Sequence, residues 1–132
     1  MREIIEYFKN CPCLFNYDIK EDYLGSSSTS ICIAHNGGEV LIKSYASGDM
    51  LKQINFKLML REFFTGQAGK LFDGISSWIE HNDTPLPILS EDRTCEYIEV
   101  TKGPSLVKTE VSGGVYEMSF RLVYYLKGVK DE

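Results

Sequence analysis

The side chains able to do chemistry in this chain are four cysteines, two histidines, a run of serines and one lysine that follows a glycine. Cys11 and Cys13 are separated only by Pro12, while Cys32 and Cys95 stand alone. A tetrahedral zinc site draws two thiolates from a C-x-x-C step and needs a second Cys or His pair downstream. The C-P-C step offers neither. Metal and redox chemistry are therefore disfavoured, and the thiols read as buried groups at the end of a helix.

His35 sits beside a turn signal and His81 at the end of a helical pattern, and no neighbouring nucleophile or orienting acid accompanies either. Both read as surface residues, His81 being favoured as a cation near a helix C-terminus. Ser26, Ser27, Ser28 and Ser30 lack the G-x-S-x-G elbow that exposes a nucleophile on a sharp strand-to-helix turn. Gly66-Gln67-Ala68-Gly69-Lys70 has two residues between its glycines and Leu71 after its lysine. A phosphate loop needs four residues there, and a Ser or Thr after the lysine to hold magnesium. Glu91, Asp92, Asp131 and Glu132 fall in expected loops or tails, without the fixed separation that paired-carboxylate catalysis needs. No catalytic residue, cofactor or metal is expected.

The elements that carry these residues are those of an ordinary globular chain. With 132 residues, 43% hydrophobic and 25% charged, it suits one core, and residues 1–132 read as a single domain. The net charge of −5 and the scattering of Lys and Arg disfavour tight nucleic-acid binding, which needs a concentrated basic face. The opening Met1-Arg2-Glu3-Ile4-Ile5-Glu6 does not read as a signal peptide. No apolar run approaches the ~18 residues of a membrane span, so no membrane partner is expected and the chain reads as intracellular where it is made.

Ile4, Ile5 and Phe8 recur at helical spacing, closed by Asn10 and Pro12. Thr29 to His35 and Glu39 to Tyr45 read as a hairpin about Asn36-Gly37-Gly38. Ile54, Phe56, Leu58 and Leu60 alternate with polar residues in the clearest strand of the chain. Leu71, Phe72, Ile75, Trp78 and Ile79 then mark a helix over 66–82, stopped by Pro85 and Pro87. Cys95 to Thr101, Leu106 to Val111 and Val115 to Lys127 read as three strands, the last two joined by a Gly113-Gly114 turn. The expected fold is α+β in the order α-β-β-β-α-β-β-β: about six mostly antiparallel strands, as two meanders in one sheet or a sandwich, packed against two helices. Tyr45 and Tyr125 are candidate interface anchors if they point outward, since aromatic side chains are enriched in buried contact centres. Lys57, Arg61 and Arg121 join them as candidate subunit-interface residues on the strands.

The ordered pattern resembles, almost end to end, the minor capsid or tail terminator proteins of phages and prophages from Gram-positive hosts. The resemblance runs through Lys9-Asn10-Cys11-Pro12-Cys13-Leu14, Asp22-Tyr23-Leu24-Gly25, Ser30-Ile31 and Ile42-Lys43-Ser44-Tyr45-Ala46-Ser47-Gly48. It continues through Phe56 to Phe64, the helix with Trp78-Ile79-Glu80, and Arg121-Leu122-Val123-Tyr124-Tyr125-Leu126. The chain departs from that pattern over Leu14 to Ser28 and Asn82 to Arg93, where partner-specific contacts are expected. The resemblance implies a virion structural protein rather than an enzyme: a subunit that joins copies of itself into a ring, a hexamer in related families. The ring would cap the tail tube, end its polymerisation and offer a joining surface to the head. Its implied partners are itself, the tail tube protein, a head completion or connector protein, and DNA passing through the lumen without sequence-specific binding. Its implied place is the head-proximal end of the tail, reached by assembly in the host cytoplasm. A head-tail adaptor or other minor tail component is the nearest alternative. A small enzyme using His35 or His81, or a ligand-binding module with an apolar pocket, are more distant ones.

Overall fold

A computed structural model describes residues 2–15, 17–24, 29–62, 68–81, 85–110 and 113–128. Among the described residues seven strands and two α-helices follow one another. Helix α1, Arg2–Phe8, leads into a 3₁₀ turn at Pro12–Leu14 and a short strand β1, Ile19–Glu21. Strands β2, Thr29–His35, β3, Val40–Ser44, and β4, Met50–Glu62, precede helix α2, Ala68–His81. Strands β5, Ile88–Ser90, β6, Arg93–Glu110, and β7, Gly113–Leu126, complete the chain. All seven strands belong to one sheet in the order β1-β2-β4-β7-β6-β5, with β3 also paired to β4. The α+β class and the mostly antiparallel sheet thus agree with expectation, in one curled sheet.

Both helices cover the same face of that sheet. The alternation in β4 aims Phe56, Leu58 and Leu60 at the core, where they meet Met118, Phe120, Leu122 and Tyr124 of β7 and Ile31 and Ile33 of β2. From α1 come Ile4, Tyr7 and Phe8, and from α2 Phe72, Ile75 and Ile79. The Phe8 ring lies 5.0 Å from Phe120, and Phe120 stacks at 5.5 Å on Phe56, so the first helix is seated on the centre of the sheet. Trp78 closes the seam between the helices, 4.7 Å from Tyr7.

The expected order of elements is corrected in four places. Asn36-Gly37-Gly38 does not reverse the chain. Strand β2 pairs with Phe56 to Glu62 and β3 with Met50 to Gln53, so the two lie in line along one edge of β4. Asn36 donates its backbone N–H to Asn55 midway, and Gly37 takes the positive φ of 97° that the jog requires. The 13 residues of β4 need a partner along their whole length, and β2, with 7, supplies only half. The reversal falls at residues 45–49, closed by Tyr45 N–H to Asp49 O and by Gly48 at φ 91°.

Secondly, the two strands expected at Cys95 to Thr101 and Leu106 to Val111 are one strand, β6, of 18 residues against the 14 of β7. Four register shifts, two of them flanking Lys102 beside Gly103 and Pro104, absorb the excess. Extra residues on one strand of a pair bend it and increase its twist, which accounts for the curl. Thirdly, Gly113 and Gly114 are paired strand residues opposite Glu110 and Thr109, and the connecting residues 111–112 lie outside the described ones. Fourthly, β1 and β5 add two three-residue strands where no element was expected, and β1 pairs parallel to β2. Gly25 and the serines 26–28, Phe63-Phe64, Gly66 and Gln67 of the false phosphate loop, residues 82–84 just before the helix-stopping Pro85 and Pro87, and Asp131 and Glu132 also lie outside the described residues.

Candidate interaction surface

The face of the sheet opposite the helices gathers all five candidate interface residues. On β4, Lys57 and Arg61 alternate with the core residues. On β7, Arg121 and Tyr125 do the same, directly across from Asn55 and Leu51. Tyr45, beyond the end of β3, comes alongside, its ring 5.8 Å from that of Tyr125. The period-two alternation thus placed four of the five on one surface, and the turn at 45–49 brought the fifth.

Arg121 is the hub of this surface. It forms an ion pair with Glu99 of β6, donates to Gln53 Oε1 of β4 at 3.0 Å and to the Tyr97 hydroxyl at 3.3 Å. One guanidinium therefore ties three adjacent strands together, and it lies 5.7 Å from the centre of the Tyr97 ring. Further along, Arg61 Nε donates to Glu110 Oε1 at 2.8 Å, reaching from β4 across β7 to β6. Lys57 has no ion-pair partner among the described residues. Beneath these long side chains lie Ser30, Cys32, Ala34, Val115, Ser119 and Val123, all buried, and paired in register with residues of this same face. The curl folds the charged side chains over a second, thin buried layer.

The end of the surface is clamped through Asp49. The Tyr125 hydroxyl donates to Asp49, whose other oxygen accepts the Gly128 N–H at 2.6 Å. Those two donors hold the Asp49 carboxyl below its usual range, while the Asp49 hydrogen bond pushes the Tyr125 phenol up to about 12.

The residues read for chemistry are dispersed. Cys11 is fully buried with its Sγ 3.0 Å from that of Cys13, and burial with the Cys13 contact pushes its thiol up to about 12. Burial raises Cys95 to about 11 and also raises Cys32. Each shift disfavours the thiolate that nucleophilic or metal chemistry uses. His81 is exposed, with Nδ1 2.7 Å from the Ser77 carbonyl one turn back. His35, at the end of β2, lies with its ring 5.1 Å from that of Phe56. Its ring lines a cavity of about 350 Å³ on the helix side, floored by Ile4, Ile54, Phe56 and Leu122 and rimmed by Arg93 and Tyr124. The Tyr-rich last strand, which supplies Tyr124, is the sequence's one pointer to an apolar pocket, and nothing in the sequence brings Arg93 or His35 to it. Tyr124 donates to Glu39 at 2.8 Å, and burial followed by that bond pushes its phenol up to about 12. Among the described residues no three His, Cys, Asp or Glu side chains are grouped to hold a metal ion, and no helix is long and apolar enough to cross a membrane.

No known protein family matches the chain, and no curated protein matches it.

Proposed function

We propose that this chain is a virion structural subunit that joins copies of itself into a ring at the head-proximal end of a phage tail, capping the tube and offering a joining surface to the head. The observation that carries the reading is the sheet face opposite the helices. There Tyr45, Lys57, Arg61, Arg121 and Tyr125 form a continuous surface braced by ion pairs across three strands. A surface fixed in that way presents its side chains without ordering them at the moment of contact, which lowers the cost of association. The ordered resemblance along the chain supplies the tail assignment. In that setting the partners are the tube protein on one side of the ring and a head connector on the other. DNA crosses the lumen without sequence-specific contacts, and assembly takes place in the host cytoplasm.

The test is co-expression with the tube protein of the same virion, followed by electron microscopy of tube lengths. Short tubes carrying a ring at one end are expected, and tubes of unrestricted length would overturn the reading. Binding to the connector but not to the tube would assign the chain to the head-tail adaptors instead. A second reading, a module for a small ligand, rests on the cavity beside His35, whose apolar floor and polar rim have the composition of a ligand site. Native mass spectrometry of the purified protein separates the two, the structural reading requiring no co-purified small molecule.

A further inference from the structure

We propose that copies of this chain join head to tail by a half-lap joint of their sheets, with β5 of one copy beside β3 of the next and β1 of that next copy beside the far half of β6. The proposal rests on the self-assembly in the reading above, and places the contact between copies at the sheet's edges rather than on the face that holds Tyr45 and Arg121. It follows from the shape of the sheet's two borders. Neither border is straight. On one side β3 and β2 share the edge of β4, and only β2 carries a further strand, β1. Among the described residues that leaves β3 open. On the other side β5 pairs at Arg93 and Thr94, which among the described residues leaves β6 open from there to Glu110.

The two overhanging strands occupy opposite halves of the sheet. Following the registers across the strands, Ile88 of β5 is level with Thr94, Tyr125, Leu51 and then Lys43 of β3. Ile19 of β1 is level with Ile31, Leu60, Tyr116 and then Leu106 of β6. A second copy placed beside the first, without shift along the strands, brings its β1 into the notch below β5, and β5 into the notch beyond β3. The directions also agree. Strand β1 runs antiparallel to β6, and β5 runs parallel to β3, and both are hydrogen-bonding arrangements.

The exposed aliphatic surface falls where this joint would cover it. Among the described residues the large aliphatic side chains left exposed are Val40, Leu41, Ile42, Ile88, Leu106 and Val107, with Ile88 89% exposed. All of them lie on β3, β5 or the open half of β6. Open edges bearing aliphatic residues invite strand pairing. Because the two borders are unlike, the contact is heterologous, and repetition of it closes a ring or extends a chain. A second copy is the occupant that supplies both matching notches at once.

The test uses the full-length protein with Lys43→Cys and Ile88→Cys together. Within one chain these positions are four strand spacings apart, roughly 19 Å, too far for a disulfide, whose Cα atoms lie within about 7 Å. Mild oxidation is expected to give a ladder of covalent oligomers on a non-reducing gel from the double variant and no oligomers from either single variant. Oligomers from one single variant alone would mean that like edges meet, and would overturn the joint. So would a wild-type protein that stays monomeric by light scattering across its whole soluble range. As a second arm, Ile42→Lys with Ile88→Lys replaces exposed side chains only, so thermal unfolding of the monomer should stay unchanged while assembly is lost. Assembly surviving that pair also overturns the proposal. Cross-linked oligomers that leave tube growth unchecked would sink the tail reading and leave the joint standing, whereas capping without cross-links would do the reverse.

Discussion

The two faces of the sheet are built from alternate residues of the same strands, yet they are held together by different physics. On the helix side, Phe56, Leu58 and Leu60 of β4 meet Phe120 and Leu122 of β7 under two helices, and stability comes from apolar area removed from water. On the other side the buried layer is thin and its cover is ionic, with Arg61 reaching Glu110 and Arg121 reaching Glu99 and Gln53. Ion pairs at partly exposed positions contribute little net stability, because side-chain ordering and solvent screening offset the Coulombic attraction. What they do provide is fixed geometry. The difference therefore assigns folding to one face and presentation of a surface to the other.

Truncation of Phe120 should break the comparison most. Its ring touches both Phe8 and Phe56 and is fully buried, so Phe120→Ala is expected to cost about 3–5 kcal/mol. Urea unfolding followed by far-ultraviolet circular dichroism measures it. A loss below about 1 kcal/mol would mean that α1 is not seated on the sheet as described.

That face was the legible one. The alternation Ile54, Phe56, Leu58, Leu60 and the helical spacing of Phe72, Ile75 and Ile79 are direct imprints of burial on one side, so β4, α2 and the inward residues of β7 are found where their patterns place them. The same alternation set Lys57, Arg61, Arg121 and Tyr125 on a common face, but gave no sign that Glu99, Glu110 and Gln53 would meet them. Those contacts depend on strand order and on the bulges of β6, which are properties of pairing between distant segments. Asn36-Gly37-Gly38 misled for a related reason. A turn sequence states that the backbone can bend, while the unpaired length of β4 decides whether it reverses. Strands β1 and β5, at three residues each, are too short to carry any period.

A smaller effect is expected from Arg61→Ala, which removes a pair whose side chains are 22% and 24% exposed. The loss should be about 1–2 kcal/mol at low salt. A double-mutant cycle with Glu110→Ala should give a coupling of about 0.5–1 kcal/mol that shrinks in ~1 M salt, where the screening length falls to about 3 Å. The Phe120→Ala loss should not shrink in the same way. If both losses responded to salt alike, the division between an apolar and an ionic face would fail. Arg121→Ala sharpens the point further: its loss should be of the same order as that of Arg61→Ala and shrink likewise in salt, while loosening Gln53, Tyr97 and Glu99 together, seen as faster amide exchange across the centre of β4 and β6 and not across α2.

The smallest effect lies at the Asp49 clamp, and it is read by its pH dependence. The Asp49 carboxyl is held below its ordinary 3.8, so the stability it brings is fully present above that value and is lost as the pH falls through the lower folded value. The Tyr125 phenol is raised from 10.0 to about 12, so its share is present below 10.0 and is lost as the pH climbs from there through about 12. The advantage of the wild type over Tyr125→Phe should therefore be flat through the neutral range and shrink at both ends. Against Asp49→Asn, the loss at the acid end should be the clear one, because the asparagine has no carboxylate to protonate. Unfolding midpoints from acid to alkaline pH decide it. An advantage that changed through neutral pH would place some other titrating group at the clamp, and would detach the turn at 45–49 from the ionic face that it completes.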